Sequence, residues 1–312
     1  MPKLLILSKQ ADEYCKLVEE ANLPHLELVA TSEISEAILL GTDCEIIFGE
    51  PVLIRDVLPA LTNLRWVQAT WAGVEPLLDP SLRRDYTLTN ARGVFGGLMS
   101  EYVFGYLLAH ERRIFERYHA QMEHSWDATL TGTLRGKIIG LLGVGSIGAH
   151  LAGTAKHFGM TVRGYTRSSE SCPDVDSYYH GDDLLEFSNG LDYLVSVLPN
   201  TAETHHIVDA DLLNVLPPHA IFVNVGRGSA VDKLALIEAL ETGKIAGAVL
   251  DVFEQEPLPE KDPLWITPNL WITFHTAAPS FPADITNLFV ENYRRFINGE
   301  ELKYQVDFES GY

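Results

Sequence analysis

Residues 138–148 narrow the choice of fold more than any other stretch of the chain. Ile138-Ile139-Gly140-Leu141-Leu142 is a short apolar run with β-branched members and reads as a buried strand. It passes directly into Gly143-Val144-Gly145-Ser146-Ile147-Gly148, then into a helical pattern over residues 149–158, and a second strand follows over 161–165. Glycine clusters occur in many loops. This one sits between a strand and a helix, the context in which the spacing G-x-G-x-x-G binds a dinucleotide. Gly143 permits the tight turn, Gly145 has no side chain to block a pyrophosphate, and Gly148 lets the helix pack close to the strand. The helix start at Ser146 and Ile147 then directs N–H groups and the helix dipole at the anion.

The rest of the chain repeats this alternation. Residues 4–7, 26–30, 45–48 and 66–69 read as strands, with helices expected over 12–20, 34–40 and 52–58. Residues 99–115 carry Tyr102, Val103, Tyr106, Leu107 and His110 at helical spacing and predict one long, mostly buried helix. From there to Gly136 no strong period appears, which suits an arm over the surface or over a partner subunit. Beyond the glycine turn, strands are expected over 191–198, 220–225, 246–250 and 270–273, with helices at 210–213 and 232–241. Such alternation implies parallel sheets with helices on their faces. The length of 312 residues suits two such domains.

Charge and cysteine usage exclude several classes of partner. A formal charge of −20 argues against nucleic acid and anionic membranes. No apolar stretch reaches membrane-spanning length, and residues 4–7 resemble a first strand rather than part of a signal peptide. Cys15, Cys44 and Cys172 lie far apart without C-x-x-C spacing, as expected of reduced thiols in a cytoplasmic protein and not of metal ligands. Attraction for an anionic ligand must then come from a few arginines and backbone amides placed locally.

The polar residues of interest all fall just after strand ends, where parallel sheets bind ligands. Past the fourth strand comes Thr70-Trp71-Ala72-Gly73-Val74-Glu75. Ala72 and Gly73 either offer backbone N–H groups to a carboxylate or form a plain strand-to-helix loop. After the second strand of the glycine-loop unit stands Thr166-Arg167-Ser168. An NAD(H) site usually places Asp or Glu there, whereas Arg167 with two hydroxyls suits a ribose 2′-phosphate, so NADP(H) is favoured over NAD(H). Arg227, between Gly226 and Gly228, presents a planar fork suited to a carboxylate and an adjacent carbonyl oxygen, with the glycines leaving room for the ligand. Glu256 and His275 form the remaining pair: histidine donates a proton near neutral pH, and a carboxylate on its other nitrogen fixes the tautomer. Asp251 ends its own strand and either holds a nicotinamide or tunes the site. His157, His180, His205 and His206 read as structural.

Five ordered segments now match a known family. Gly143–Gly148, 198–204 (LPNTAET), 223–228 (VNVGRG), 251–259 (DVFEQEPLP) and 275–278 (HTAA) together resemble the D-isomer-specific 2-hydroxyacid dehydrogenases over nearly the whole chain. The segments Tyr165-Thr166-Arg167-Ser168, His124-Ser125-Trp126 and Gln305-Val306-Asp307 with the ending Gly311-Tyr312 resemble most the bacterial glyoxylate/hydroxypyruvate reductase A branch. The resemblance implies an α/β fold of two Rossmann-like domains with parallel sheets. The dinucleotide-binding domain (100–277) is inserted into a substrate domain (1–99 and 278–312). It implies that Arg227 holds the substrate carboxylate and polarises the keto oxygen, that His275 is the proton donor, and that Glu256 is its partner. Trp71, Ala72 and Gly73 would line the substrate, while Leu198, Pro199, Thr204, Val225, Asp251 and Ala277 would join the glycine loop and Thr166–Ser168 along the cofactor. It also implies a homodimer through the dinucleotide domain, which would give the arm at 119–136 its purpose.

The expected activity is therefore reduction of a small 2-ketoacid, glyoxylate or hydroxypyruvate in type, to a D-2-hydroxyacid with NADPH. Three departures from the family pattern stand out: Phe274 precedes the histidine where proline is common, Glu75 ends the Gly73-Val74 loop where aspartate is usual, and Trp71 bears on which substrate fits. Other readings on this scaffold are an NAD-dependent enzyme of another 2-hydroxyacid, a formate or phosphite dehydrogenase, and a dinucleotide-sensing corepressor. Formate dehydrogenases pair their histidine with glutamine, so Glu256 speaks against that one.

Overall fold

The computed structural model describes residues 1–309 and 311; Ser310 and Tyr312, the last residue of the ending noted above, lie outside the described residues. The chain forms two compact units, one from Met1–Val94 with Ser280–Tyr312, the other from Phe95–Pro279.

The first unit is built on five strands, β1 (Lys3–Leu7), β2 (Glu27–Thr31), β3 (Ile46–Gly49), β4 (Trp66–Ala69) and β5 (Thr87–Thr89). All pair in parallel in the order β2-β1-β3-β4-β5. β3 and β4 are buried at every position, which is why they read as continuous apolar runs rather than alternating ones. Helices over Ala11–Glu20, Ile34–Leu40 and Pro51–Val57 return the chain between strands.

A long helix over Pro282–Asn298 completes this unit; its residues carried no helical expectation. The signals for it are local. Pro282 stands in its first turn, where a missing N–H costs nothing, and Gly299 ends it at φ 70°. Ile285, Phe289 and Tyr293 recur at helical spacing and are fully buried. Phe289 stacks on Phe48 and Trp66 at 4.7 and 5.2 Å between ring centroids. Asn292, also fully buried, donates to Gln68 Oε1 and accepts from the Lys303 N–H, so its polar atoms are satisfied inside the core.

The second unit holds β6 (Ile138–Leu142), β7 (Thr161–Tyr165), β8 (Ser177–Tyr179), β9 (Tyr193–Ser196), β10 (Ile221–Asn224), β11 (Gly247–Leu250) and β12 (Leu270–Ile272). These are parallel in the order β12-β11-β10-β9-β6-β7-β8, which reverses direction between β6 and β9. Ligands bind beyond the carboxyl ends of the strands at such a switch point. The register sharpens this. Leu142 pairs with Ser196, Ser196 with Asn224, Asn224 with Leu250, and Leu250 with Ile272. The next residues, Gly143, Val197, Val225, Asp251 and Thr273, therefore emerge along one edge of one sheet.

Two expectations are corrected here. The single helix expected over 99–115 ends at Glu111, and the chain turns at Arg113, whose φ is 54°. A second helix then runs over Ile114–Met122. The first buries Val103, Phe104 and Leu107, whereas the second buries nothing within its unit, so no common apolar face runs through both. The stretch before Gly136, in which the sequence shows no strong period, is thus helical at its start. β5, β8 and a helix over Leu184–Ser188 were not anticipated, because three to five residues are too few to display a period. Among the described residues, no helix is long and apolar enough to cross a membrane.

Candidate active site

The glycine turn after β6 has the geometry its spacing implied. Gly143 adopts φ 96°, in the left-handed region that only glycine enters without strain, and its N–H donates to the Tyr165 carbonyl at 2.9 Å. A Cβ at Gly148 would lie 2.2 Å from the Gly143 carbonyl oxygen, so the close packing of helix on turn requires glycine there. Gly145 differs, since a Cβ there would meet nothing within 4 Å. It caps the helix Ser146–His157 with extended backbone and no side-chain hydrogen bond. The helix start, with Gly145 and Ser146 exposed and Ile147 partly so, therefore opens on free space. These residues fit a dinucleotide pyrophosphate.

Past β7 the geometry corrects one assignment. Thr166 is buried and its hydroxyl donates to the Ser169 carbonyl at 2.7 Å, so this side chain shapes the turn rather than facing a ligand. Arg167 and Ser168 are exposed. His180, at the end of β8, bonds the Thr166 carbonyl through Nδ1 and Glu170 through Nε2, each at 2.8 Å. The bond to Glu170, followed by that to Thr166, raises the imidazole above its usual pKa of 6.5. Glu170 thus has a hydrogen-bonded imidazole beside it, and His180 holds the turn that presents Arg167.

At the end of β10 the glycines around Arg227 prove to serve the backbone. A Cβ at Gly226 would come within 2.7 Å of the Leu198 backbone, and one at Gly228 within 1.9 Å of the Phe253 carbonyl carbon. The expected free space is filled by neighbouring main chain, not kept for a ligand. Asn224, fully buried, completes the turn by accepting from the Gly226 N–H and donating to the Arg227 carbonyl. Leu198 and Pro199 lead the adjacent loop after β9. Thr204 closes that loop by donating to the Pro199 carbonyl at 2.7 Å. Val225, buried, donates its N–H to Ser196.

Glu256 and His275 meet. His275 Nδ1 lies 2.8 Å from Glu256 Oε2, and Glu256 Oε1 accepts the Phe253 N–H at 2.9 Å. The histidine side chain is 56% exposed, so its remaining nitrogen is accessible. Asp251, 1% exposed, braces the loop that carries it. Its carboxylate accepts from the Thr273 hydroxyl and from the N–H groups of Thr276 and Ala277, and its carbonyl accepts the His275 N–H at 2.7 Å. Tyr102, on the helix Gly96–Glu111, bonds Thr273 Oγ1 at 2.6 Å and extends the network. Burial, the largest influence, raises the Tyr102 phenol pKa, so it stays protonated at any working pH.

In the first unit, Trp71-Ala72-Gly73 forms the turn after β4. Asn90 Nδ2 donates to the Ala72 carbonyl at 2.8 Å and the Ala91 N–H to the Trp71 carbonyl at 3.0 Å. Both carbonyls are thus occupied by protein donors. Trp71 is 37% exposed, and the buried Thr70 hydroxyl has no hydrogen-bond partner.

Residues 104–277 match the family described as D-isomer specific 2-hydroxyacid dehydrogenase, NAD binding domain. The chain belongs to that family. Its members are NAD(P)-dependent oxidoreductases, and the matched segment lies within the second unit. The chain is 35% identical over 258 residues to a protein named glyoxylate/hydroxypyruvate reductase A from Salmonella paratyphi B, covering 80% of this chain and 82% of that one. A D-isomer specific 2-hydroxyacid dehydrogenase family protein from Aeromonas salmonicida has a similar solved structure. That match has a TM-score of 0.94 at 45% identity and covers 98% of this chain and 99% of the other. Another is the D-isomer specific 2-hydroxyacid dehydrogenase from Xanthobacter autotrophicus in complex with NADPH and MES. It aligns with a TM-score of 0.86 at 31% identity over 100% of this chain and 99% of that chain.

Within this family frame, Asn224, Tyr102, Thr273 and His180 are positioning residues that the sequence reading missed or left as structural. A buried asparagine next to a glycine pair is a readable turn signal. The other three depend on pairings up to 171 residues apart in sequence, which no local pattern displays. Replacing Asp251 with asparagine removes one carboxylate acceptor and sets an amide donor against backbone N–H groups. The Asp251→Asn protein should lose about 1–3 kcal/mol of stability and at least tenfold in kcat, measured by urea unfolding and steady-state turnover.

Proposed function

We propose that the chain is an NADPH-preferring reductase of small 2-ketoacids, glyoxylate or hydroxypyruvate in type, yielding D-2-hydroxyacids. The observation that carries this reading is the 2.8 Å contact of His275 Nδ1 with Glu256 Oε2, on the sheet edge that also bears Arg227 and the glycine turn. The name of the Salmonella relative supports the substrate class. The first unit serves the substrate and the second the dinucleotide.

When bound, the reduced nicotinamide supplies a hydride to the carbonyl carbon. Glu256 accepts the Nδ1 proton of His275 and fixes the tautomer, leaving Nε2 to deliver the proton that the substrate oxygen needs. The Phe253 N–H holds the Glu256 carboxylate in place. Arg227 pairs with the substrate carboxylate and polarises the keto oxygen through its planar donors. The Ala72-Gly73 turn, which by itself suits a carboxylate, takes part in substrate binding, and Trp71 limits the size of substrate. Along the cofactor lie Gly143, Gly145, Ser146, Ile147 and Gly148, with Leu198, Pro199, Thr204, Val225 and Ala277. Asp251 positions the His275 loop.

The preference for NADPH rests on the loop after β7. No carboxylate stands at the end of that strand, Arg167 and Ser168 are exposed, and Glu170 is hydrogen-bonded to His180. The NADPH complex of the Xanthobacter relative supports the same cofactor. A homodimer through the second unit is part of this reading, because Ile114, Tyr118 and Met122 are each more than half exposed along one face of their helix. Trp126 and Leu130, in the segment that follows, are more exposed still, at 93% and 92%.

His275→Ala should lower kcat/KM for the ketoacid by about 10² to 10⁴, and Arg227→Ala by about 10² to 10³, while both proteins keep their circular-dichroism spectra. Near-normal turnover in either variant contradicts the mechanism. Arg167→Ala should raise the KM for NADPH roughly tenfold or more with little change for NADH; an equal effect on both cofactors removes the basis for the preference. Sedimentation equilibrium should return twice the chain mass for the native protein and one chain mass for a Tyr118→Glu, Met122→Glu double variant.

A further inference from the structure

Three side chains outside the catalytic pair converge on a single point. His205 and His206 follow the Thr204 loop after β9, and Glu254 lies on the loop after β11. One ligand atom from each lies within 4.8 Å of the other two, and His205 Nε2 is 4.0 Å from Glu254 Oε1. We propose that His205, His206 and Glu254 form a binding site for a divalent transition-metal ion of the zinc type, and that metal bound there inhibits turnover.

The backbone arranges this cluster. Successive side chains in an extended chain point to opposite sides. Here His206 adopts φ 52°, and the two imidazoles lie on the same side, stacked with centroids 3.9 Å apart at 29°. The Gly228-Ser229 segment holds the two loops together. The Ser229 carbonyl accepts the His206 N–H at 2.8 Å, while Gly228 packs so closely on Phe253 and Glu254 that no side chain fits. The donor atoms are thus brought together by main-chain contacts that the turn at Arg227 needs in any case.

The chemistry selects the ion. Two imidazoles and one carboxylate suit zinc and its neighbours, whereas magnesium prefers oxygen ligands throughout. Ligand atoms around tetrahedral zinc stand roughly 3.3 Å apart. The side chains must therefore close by about 1 Å, which His205 and Glu254, both exposed, achieve by rotation. The remaining coordination positions face solvent, so binding is reversible. The formal charge of −20 raises the local concentration of cations.

Inhibition follows from the connection to the catalytic pair. Glu254 is two residues from Glu256, and Phe253, next to it, donates to Glu256 Oε1. Metal that draws Glu254 toward the histidines pulls on the segment that positions the partner of His275.

The test is calorimetric titration of zinc chloride into chelator-treated protein, with magnesium chloride as control. Binding is read directly, so this part stands or falls separately from the reductase reading. Wild-type protein should take up one zinc per chain with high affinity and give no heat with magnesium. His205→Ala and His206→Asn, the latter keeping a residue that tolerates the left-handed backbone, should each bind zinc at least about tenfold more weakly. With NADPH and glyoxylate, micromolar zinc should slow the wild-type enzyme and leave both variants, active without metal, at their uninhibited rates. Unchanged zinc affinity in the variants, or no binding by wild type, overturns the site. Equal inhibition of wild type and variants overturns its link to Glu256.

Discussion

One buried carboxylate holds the catalytic edge together. Asp251 is withdrawn from water almost completely, and a carboxylate in that position is tolerable only when donors surround it. The hydroxyl of Thr273 and the N–H groups of Thr276 and Ala277 supply them. Its own backbone N–H reaches the Asn224 carbonyl of β10, and its carbonyl takes the N–H of His275. One residue thus ties the Arg227 turn to the His275 loop. The segment that begins at Asp251 carries Glu256 back to meet the histidine. Loosening this residue disturbs the contact between Glu256 and His275.

The parallel sheet decides where this network lies. Strand ends in register deliver the glycine turn, the Arg227 turn, Asp251 and the His275 loop to one edge, with each polar group supplied by a different connection. Strands buried on both faces leave no room for chemistry within the sheet, so function concentrates in the loops beyond it. The glycines of these loops divide into two kinds. Gly148, Gly226 and Gly228 exist because main chain approaches main chain, whereas Gly145 faces free space.

What was legible in the sequence follows from how local each signal is. The glycine turn and the central strands showed because each rests on a short local pattern, whereas the pairing of Glu256 with His275, 19 residues apart, was implied only by the family resemblance. The helix Pro282–Asn298 was available through Pro282, Gly299 and the spacing of Ile285, Phe289 and Tyr293, but those residues were assigned only to a domain. The break at Arg113 escaped because a left-handed residue there has no compositional mark of the kind glycine leaves. Thr166 looked like a phosphate ligand because a hydroxyl after β7 is the right group. Only coordinates reveal that Ser169 has taken it. The bracing role of Asp251 was out of reach for the same reason, since its partners lie more than 20 residues away.

The family assignment makes the chain an NAD(P)-dependent 2-hydroxyacid dehydrogenase, and our proposal within it is reduction of a short 2-ketoacid with NADPH. A panel of 2-ketoacids offered with NADPH and with NADH, read as kcat/KM from nicotinamide absorbance, tests that account most directly. Highest values for glyoxylate or hydroxypyruvate with NADPH are predicted. No turnover of any 2-ketoacid with either cofactor, or a clear preference for NADH, would contradict it.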